Sequence, residues 1–182
     1  MAGRVEIVNL ALARLGESPI QSLDEGTVPA NMAKLLFDSA RRSALRDFNW
    51  SFALAAASLA RLVETPVDFR YAYALPADCI RAIRLRGERS FVVRGSRLFT
   101  DDGAPVLEYV SDVTDESKFD AKFVEAFTYK LASELAMSVK GSSELMASYS
   151  NAYQTYIQQA AAESARESRT ILPENPYVEA RF

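Results

Sequence analysis

The chain has 182 residues, 49% apolar and 25% charged, enough for one domain with a substantial core. Lys and Arg number 21 against 24 Asp and Glu, a net charge of -3, with one cysteine and no histidine. This composition excludes Ser-His-Asp and Cys-His catalysis, a histidine-bearing zinc site and an internal disulfide.

No glycine-rich phosphate loop is present, so the expected cofactor is none, and enzyme chemistry is left to carboxylates or lysine. No apolar run reaches the length of a membrane span, and the N-terminus lacks the unbroken apolar stretch of a secretory signal.

In chain order, Val5, Val8, Leu12 and Leu15 recur at helical spacing, thickened by Ile7 and Leu10, and predict a helix over 4–16 closed by Gly16. A loop follows. Thr27 as N-cap and Pro29 in the first turn open a second helix, 28–47. Ala33, Leu36, Phe37, Ala40, Ala44 and Phe48 form its buried face, and Arg41, Arg42 and Arg46 its outer one.

The period then changes to two. Phe48, Trp50, Phe52 and Leu54 alternate with smaller residues, as do Phe69, Tyr71, Tyr73 and Leu75, and both stretches predict extended strands. Trp50 reads as a packing anchor. A β-meander is expected within an insertion spanning about 69–111. Gly95-Ser96 forms a type II′ hairpin turn inside "FVVRGSRLFT", and "DDGAP" turns into a strand at Val106–Val110.

Ser117 is expected to cap a helix over 118–140 that carries Phe119, Phe123, Phe127, Leu131 and Leu135 at four-residue steps. Gly141 breaks it. The last helix, 143–168, places Leu145, Tyr149, Tyr153, Tyr156, Ile157 and Ala160 on one side as core or interface residues. "TILPENPYVEARF" holds two prolines and reads as an extended tail. The fold class is therefore α+β, mainly α. It comprises about four bundled helices with a small antiparallel β insertion, as one domain over 1–170 with a tail over 171–182.

The segment Arg81–Arg97 gathers six arginines against one glutamate, and Asp101–Glu125 gathers eight carboxylates against two lysines. An acidic chain with Phe91 facing inward is a poor match for nucleic-acid binding, which favours a basic domain and exposed aromatics. Separate basic and acidic patches suit head-to-tail contact between copies, with Arg84, Arg86, Arg94 and Arg97 facing Asp112, Asp115 and Glu116. The pairs Asp101-Asp102 and Asp115-Glu116 are candidates for a carboxylate-based hydrolase acting on peptidoglycan, although Asp is also favoured in turns and caps for backbone reasons.

"EIVNLALARLGESPIQSLDEGT", "ARRSALRDFNWSFALAAASLARL" and "YAYALPADCIRAIRLRG" together resemble the head-to-tail adaptor proteins of tailed bacteriophages, the tail tubular protein A type among them. The resemblance covers about the first half of the chain. It implies a structural protein of the virion, assembled in the host cytoplasm, that forms a twelvefold ring at the head–tail junction. It implies a portal protein on one side and a nozzle or tail-tube protein on the other. Double-stranded DNA would pass through without specific binding, and no membrane would be involved. It also implies that the C-terminal segment docks on the portal, through Ile171, Leu172, Pro173, Pro176, Tyr177, Val178 and Phe182. No catalytic residue carries over.

Overall fold

A computed structural model describes residues 3–64 and 66–167. The expected tail, 171–182, lies outside the described residues. The fold is α+β, with four helices around one core and two small antiparallel sheets around another.

Helix α1 spans Arg4–Arg14 and buries Ile7, Val8, Ala11 and Leu12. Leu10 departs from the expectation: it is 45% exposed, because it falls well off the centre of that stripe. Gly16 closes the helix at φ 68, with its N–H bonded to Ala13 O at 3.1 Å and the Glu17 N–H to Leu12 O at 3.0 Å. This 5→2 and 6→1 pair is a Schellman ending, and a left-handed residue there favours glycine.

Helix α2 spans Val28–Asp47, with Thr27 accepting from Ala30 N at 3.4 Å. Arg41, expected on the outer face, is 1% exposed. It follows Phe37 by four residues and so shares the buried stripe, where its guanidinium meets the Asp112 carboxylate and the Val113 carbonyl.

Helix α3, Ala121–Lys140, packs against α1, α2 and α4, Ser143–Glu167, and so runs through the centre of the bundle. Its cap is Asp120, which accepts from Phe123 N at 2.6 Å. The helix therefore starts three residues later than expected from Ser117, which instead lies in a 3-10 turn, Glu116–Lys118. Gly141 ends it at φ 62. Tyr153 is fully buried, and its hydroxyl donates to Asp47 Oδ2 at 2.8 Å.

The expected strand over Phe48–Leu54 does not form before Leu54. The stretch turns through a 3-10 segment, Ser51–Ala53, because its aromatics all sink into the helical core. Trp50 lies 4.8 Å from Phe48 and 5.2 Å from Phe123 between ring centroids, and Phe52 lies 5.1 Å from Phe123. Trp50 Nε1 donates to Ala44 O at 3.0 Å, which anchors the ring as expected.

The β region consequently begins at Leu54 rather than at 69. Strands β1 (Leu54–Ser58), β6 (Val106–Ser111) and β3 (Cys79–Leu85) form one sheet in the order β1-β6-β3. Strands β2 (Tyr71–Ala74), β5 (Arg97–Thr100) and β4 (Phe91–Arg94) form the other, in the order β2-β5-β4. Only β4–β5 joins sequential neighbours, so the arrangement is not a meander. Their turn is Gly95-Ser96, with φ 62 at Gly95 alone, the II′ pattern. Tyr73, Leu85, Leu98, Leu107 and Tyr109 bring the two sheets together in a second apolar cluster. The chain just after β1 crosses between sheets, through the Arg61↔Tyr73 bridge and the Leu62 N–H to Ala72 O bond of 2.8 Å.

Candidate interaction surfaces

The arginines of the 81–97 segment do project from the β region, and each of the four selected ones meets a carboxylate of its own chain. Arg84 Nε donates to Glu108 Oε2 at 2.7 Å and Arg86 Nε to Glu108 Oε1 at 3.3 Å. Register explains the first pair, since β3 and β6 set Arg84 opposite Glu108. Arg94 reaches Asp68 at 3.3 Å and Arg97 reaches Glu64 at 2.5 Å. The Arg84 hydrogen bond holds the Glu108 carboxyl below the usual range.

The three acidic candidates are also engaged, each differently. Asp112 pairs with buried Arg41 and with Arg42 at 3.3 Å. Glu116 accepts from Arg4 Nε at 2.9 Å, and Arg4 also reaches Asp38 at 3.2 Å. Asp115 accepts from the Ser117 hydroxyl at 2.6 Å and the Ser117 N–H at 3.0 Å. Arginines and acids are thus held by their own chain rather than left as two bare patches.

Of the carboxylates considered for hydrolysis, Asp101, Asp102 and Asp115 bind backbone N–H groups, and Glu116 is held by Arg4. Asp101 Oδ1 accepts from Arg70 N at 2.8 Å and Asp102 Oδ1 from Ala104 N at 3.1 Å. The Ser117 hydrogen bonds hold the Asp115 carboxyl below its ordinary range, the opposite of what a general acid requires. Among the described residues no group of three or more His, Cys, Asp or Glu is placed to hold a metal ion. No described helix is long and apolar enough to cross a membrane.

Two features escaped the sequence reading. One is a seam between β3 and β4: among the described strands β3 pairs with β6 and β4 with β5, and residues of both line one groove. Leu75, Ile80, Phe91 and Val93 line it together with Arg46 and Arg81. Arg46 donates to Ile80 O at 2.7 Å and Arg81 Nη2 to Asn49 Oδ1 at 2.5 Å. Arg81 Nε is buried with no hydrogen-bond partner among the described residues. The other is the β1–β2 connection, where Val63 and Val67 are fully exposed. Its sequence signal was two valines set among Glu64, Pro66 and Asp68, a stretch with no period that would bury them.

The family described as Tube, tail tubular protein, matches residues 5–104. Comparison with curated protein sequences gave no match.

Proposed function

The chain belongs to the tail tubular protein family, whose members are structural components of the phage tail, and from that premise we propose that it is the head-to-tail adaptor of the virion. Copies close into a twelvefold ring between the portal and the next tail component, a nozzle or tail-tube protein. The ring completes the channel through which double-stranded DNA leaves the capsid, and it sits at the head–tail junction after assembly in the host cytoplasm.

The observation that carries this reading is the family match itself, which runs from α1 through β5. Those elements hold the sequence stretches on which the adaptor resemblance rests. A closed ring needs two different complementary surfaces on each copy. Arg84, Arg86, Arg94 and Arg97 supply cationic positions for one, and Asp112, Asp115 and Glu116 anionic positions for the other. The pairs at Arg94 and Arg97 are well exposed. Exposed pairs contribute about 0–1 kcal/mol, so replacing an own-chain partner by a neighbour's is inexpensive. Such contacts set register and specificity more than affinity.

The last dozen residues, including Ile171, Leu172, Pro173, Pro176, Tyr177, Val178 and Phe182, are assigned to the portal. Deleting Ile171–Phe182 is expected to abolish docking on the portal ring while leaving the thermal unfolding of the subunit unchanged. A truncated chain that joins the portal at full occupancy contradicts the assignment. No observation favours the peptidoglycan-degrading alternative, since Asp101, Asp102 and Asp115 bind backbone N–H groups and Glu116 binds Arg4.

A further inference from the structure

We propose that the outer ridge of α2 on one copy, formed by Val28, Met32 and Leu35 and continued by Arg42, seats in the groove between α1 and α3 of the next copy; this joint rests on the ring reading above. The two surfaces match in form, in charge and in placement.

The ridge departs from the usual pattern of a surface helix. Helix α2 buries Ala30, Ala33, Phe37, Ala40 and Ala44, and Val28 and Leu35 fall on the side directly opposite. That side of a surface helix ordinarily carries charged and polar residues. Here Val28 is 60% and Leu35 71% exposed, with half-buried Met32 on the turn between them. The spacing i, i+4, i+7 makes the three one continuous apolar strip. The receiving groove is apolar as well. Leu10, Phe119 and Val124 line it, and Leu10 is 45% exposed. A convex apolar strip and a concave apolar groove thus occur on one chain, formed by different residues.

Charge selects the pairing. Glu6 and Glu125 also line the groove, and neither carboxylate has an ion-pair partner among the described residues. Glu125 accepts only from the Tyr156 hydroxyl, at 3.3 Å. Arg14 lines the groove too, but its guanidinium lies over the Tyr129 ring at 3.7 Å and its Nε donates to Thr128 Oγ1 at 3.1 Å. On the ridge, Arg42 is mostly exposed and meets Asp112 at 3.3 Å, a carboxylate it shares with buried Arg41. A guanidinium has five N–H donors, so Arg42 keeps several for a neighbour's carboxylate. Placement completes the match. Phe127 of α3 packs on Phe37 of α2 with ring centroids 5.0 Å apart. Ala121 and Glu125, which line the groove, lie about 120° and about 160° around α3 from Phe127. The strip faces away from α3 and the groove opens on another flank, so one copy presents the two in different directions. That is the head-to-tail arrangement of a closed ring, whereas a two-fold pair uses one self-complementary surface.

The test uses the full-length chain with its portal ring, the assembled fraction being read by sedimentation and folding by thermal unfolding. Leu35→Asp changes a well exposed position, so the subunit is expected to unfold at the wild-type temperature while its assembled fraction falls about tenfold or more. Glu6→Gln with Glu125→Gln is expected to lower that fraction and to weaken its dependence on salt. In a Cys79→Ser background, Leu35→Cys with Leu10→Cys is expected to give a disulfide ladder of copies, and either cysteine alone none. A paired-cysteine ring without a ladder, or a Gln pair with the wild-type response to salt, overturns the joint. A crosslinked dimer from Leu35→Cys alone also overturns it, because it reports ridge meeting ridge. A wild-type chain that never forms a ring overturns the ring reading and the joint together; a wild-type ring indifferent to Leu35→Asp overturns the joint alone.

Discussion

Arg41 is the single side chain on which the junction between helices and sheets most depends. It is 1% exposed, and its guanidinium ties α2 to Asp112 and Val113, just beyond β6. Arg41→Met takes the donor from the Val113 carbonyl and leaves Asp112 with Arg42 alone, so it is expected to destabilise by about 1–3 kcal/mol in chemical denaturation. An unchanged midpoint would show that the pair is replaceable. Glu134 gives the opposite case. Burial pushes its carboxyl above the ordinary range, so the fold favours the protonated form. That contribution is complete below pH about 4.5 and is lost as pH rises through the raised value. Glu134→Gln is therefore expected to raise the unfolding temperature at pH 7 and to leave it nearly unchanged at pH 4; a lower temperature at pH 7 would contradict this. Neither role was legible in the sequence. Arg41 sits at a helix position like those of Arg42 and Arg46, and its partner lies 71 residues away.

Among elements, the helices were legible because their ends are chemically marked. Thr27, Gly16 and Gly141 each do what their residue type favours. Gly141→Ala forces a side chain into the left-handed region and is expected to cost about 1–2 kcal/mol; Asp120→Ala removes the α3 cap for about 1 kcal/mol. Thermal unfolding of both variants checks these values, and wild-type stability in either would contradict the assigned helix end. Strands were legible only in part. Phe48, Trp50 and Phe52 alternate like a strand, but Phe123 of α3 captures Trp50 and Phe52 while Phe48 packs on Trp50, and tertiary burial overrides the period. Strand order was hidden too, since β1 and β3 both pair with β6 across long sequence separations that no local pattern encodes.

At the scale of the molecule, the helical bundle and the pair of sheets each hold a core, and the arginine-rich segment belongs to the sheets. The sequence announced those charges as two opposed patches; the fold instead pairs each selected arginine within the chain. The fold also leaves a groove lined by β3 and β4 and exposes Val63 and Val67 on the β1–β2 connection. The proposed adaptor role places copies of this chain in a ring on the portal. Electron microscopy of the purified full-length protein, with and without its portal ring, tests that account most directly. The expected result is a ring of twelve copies stacked on the portal; separate subunits that leave the portal bare at every concentration would contradict it.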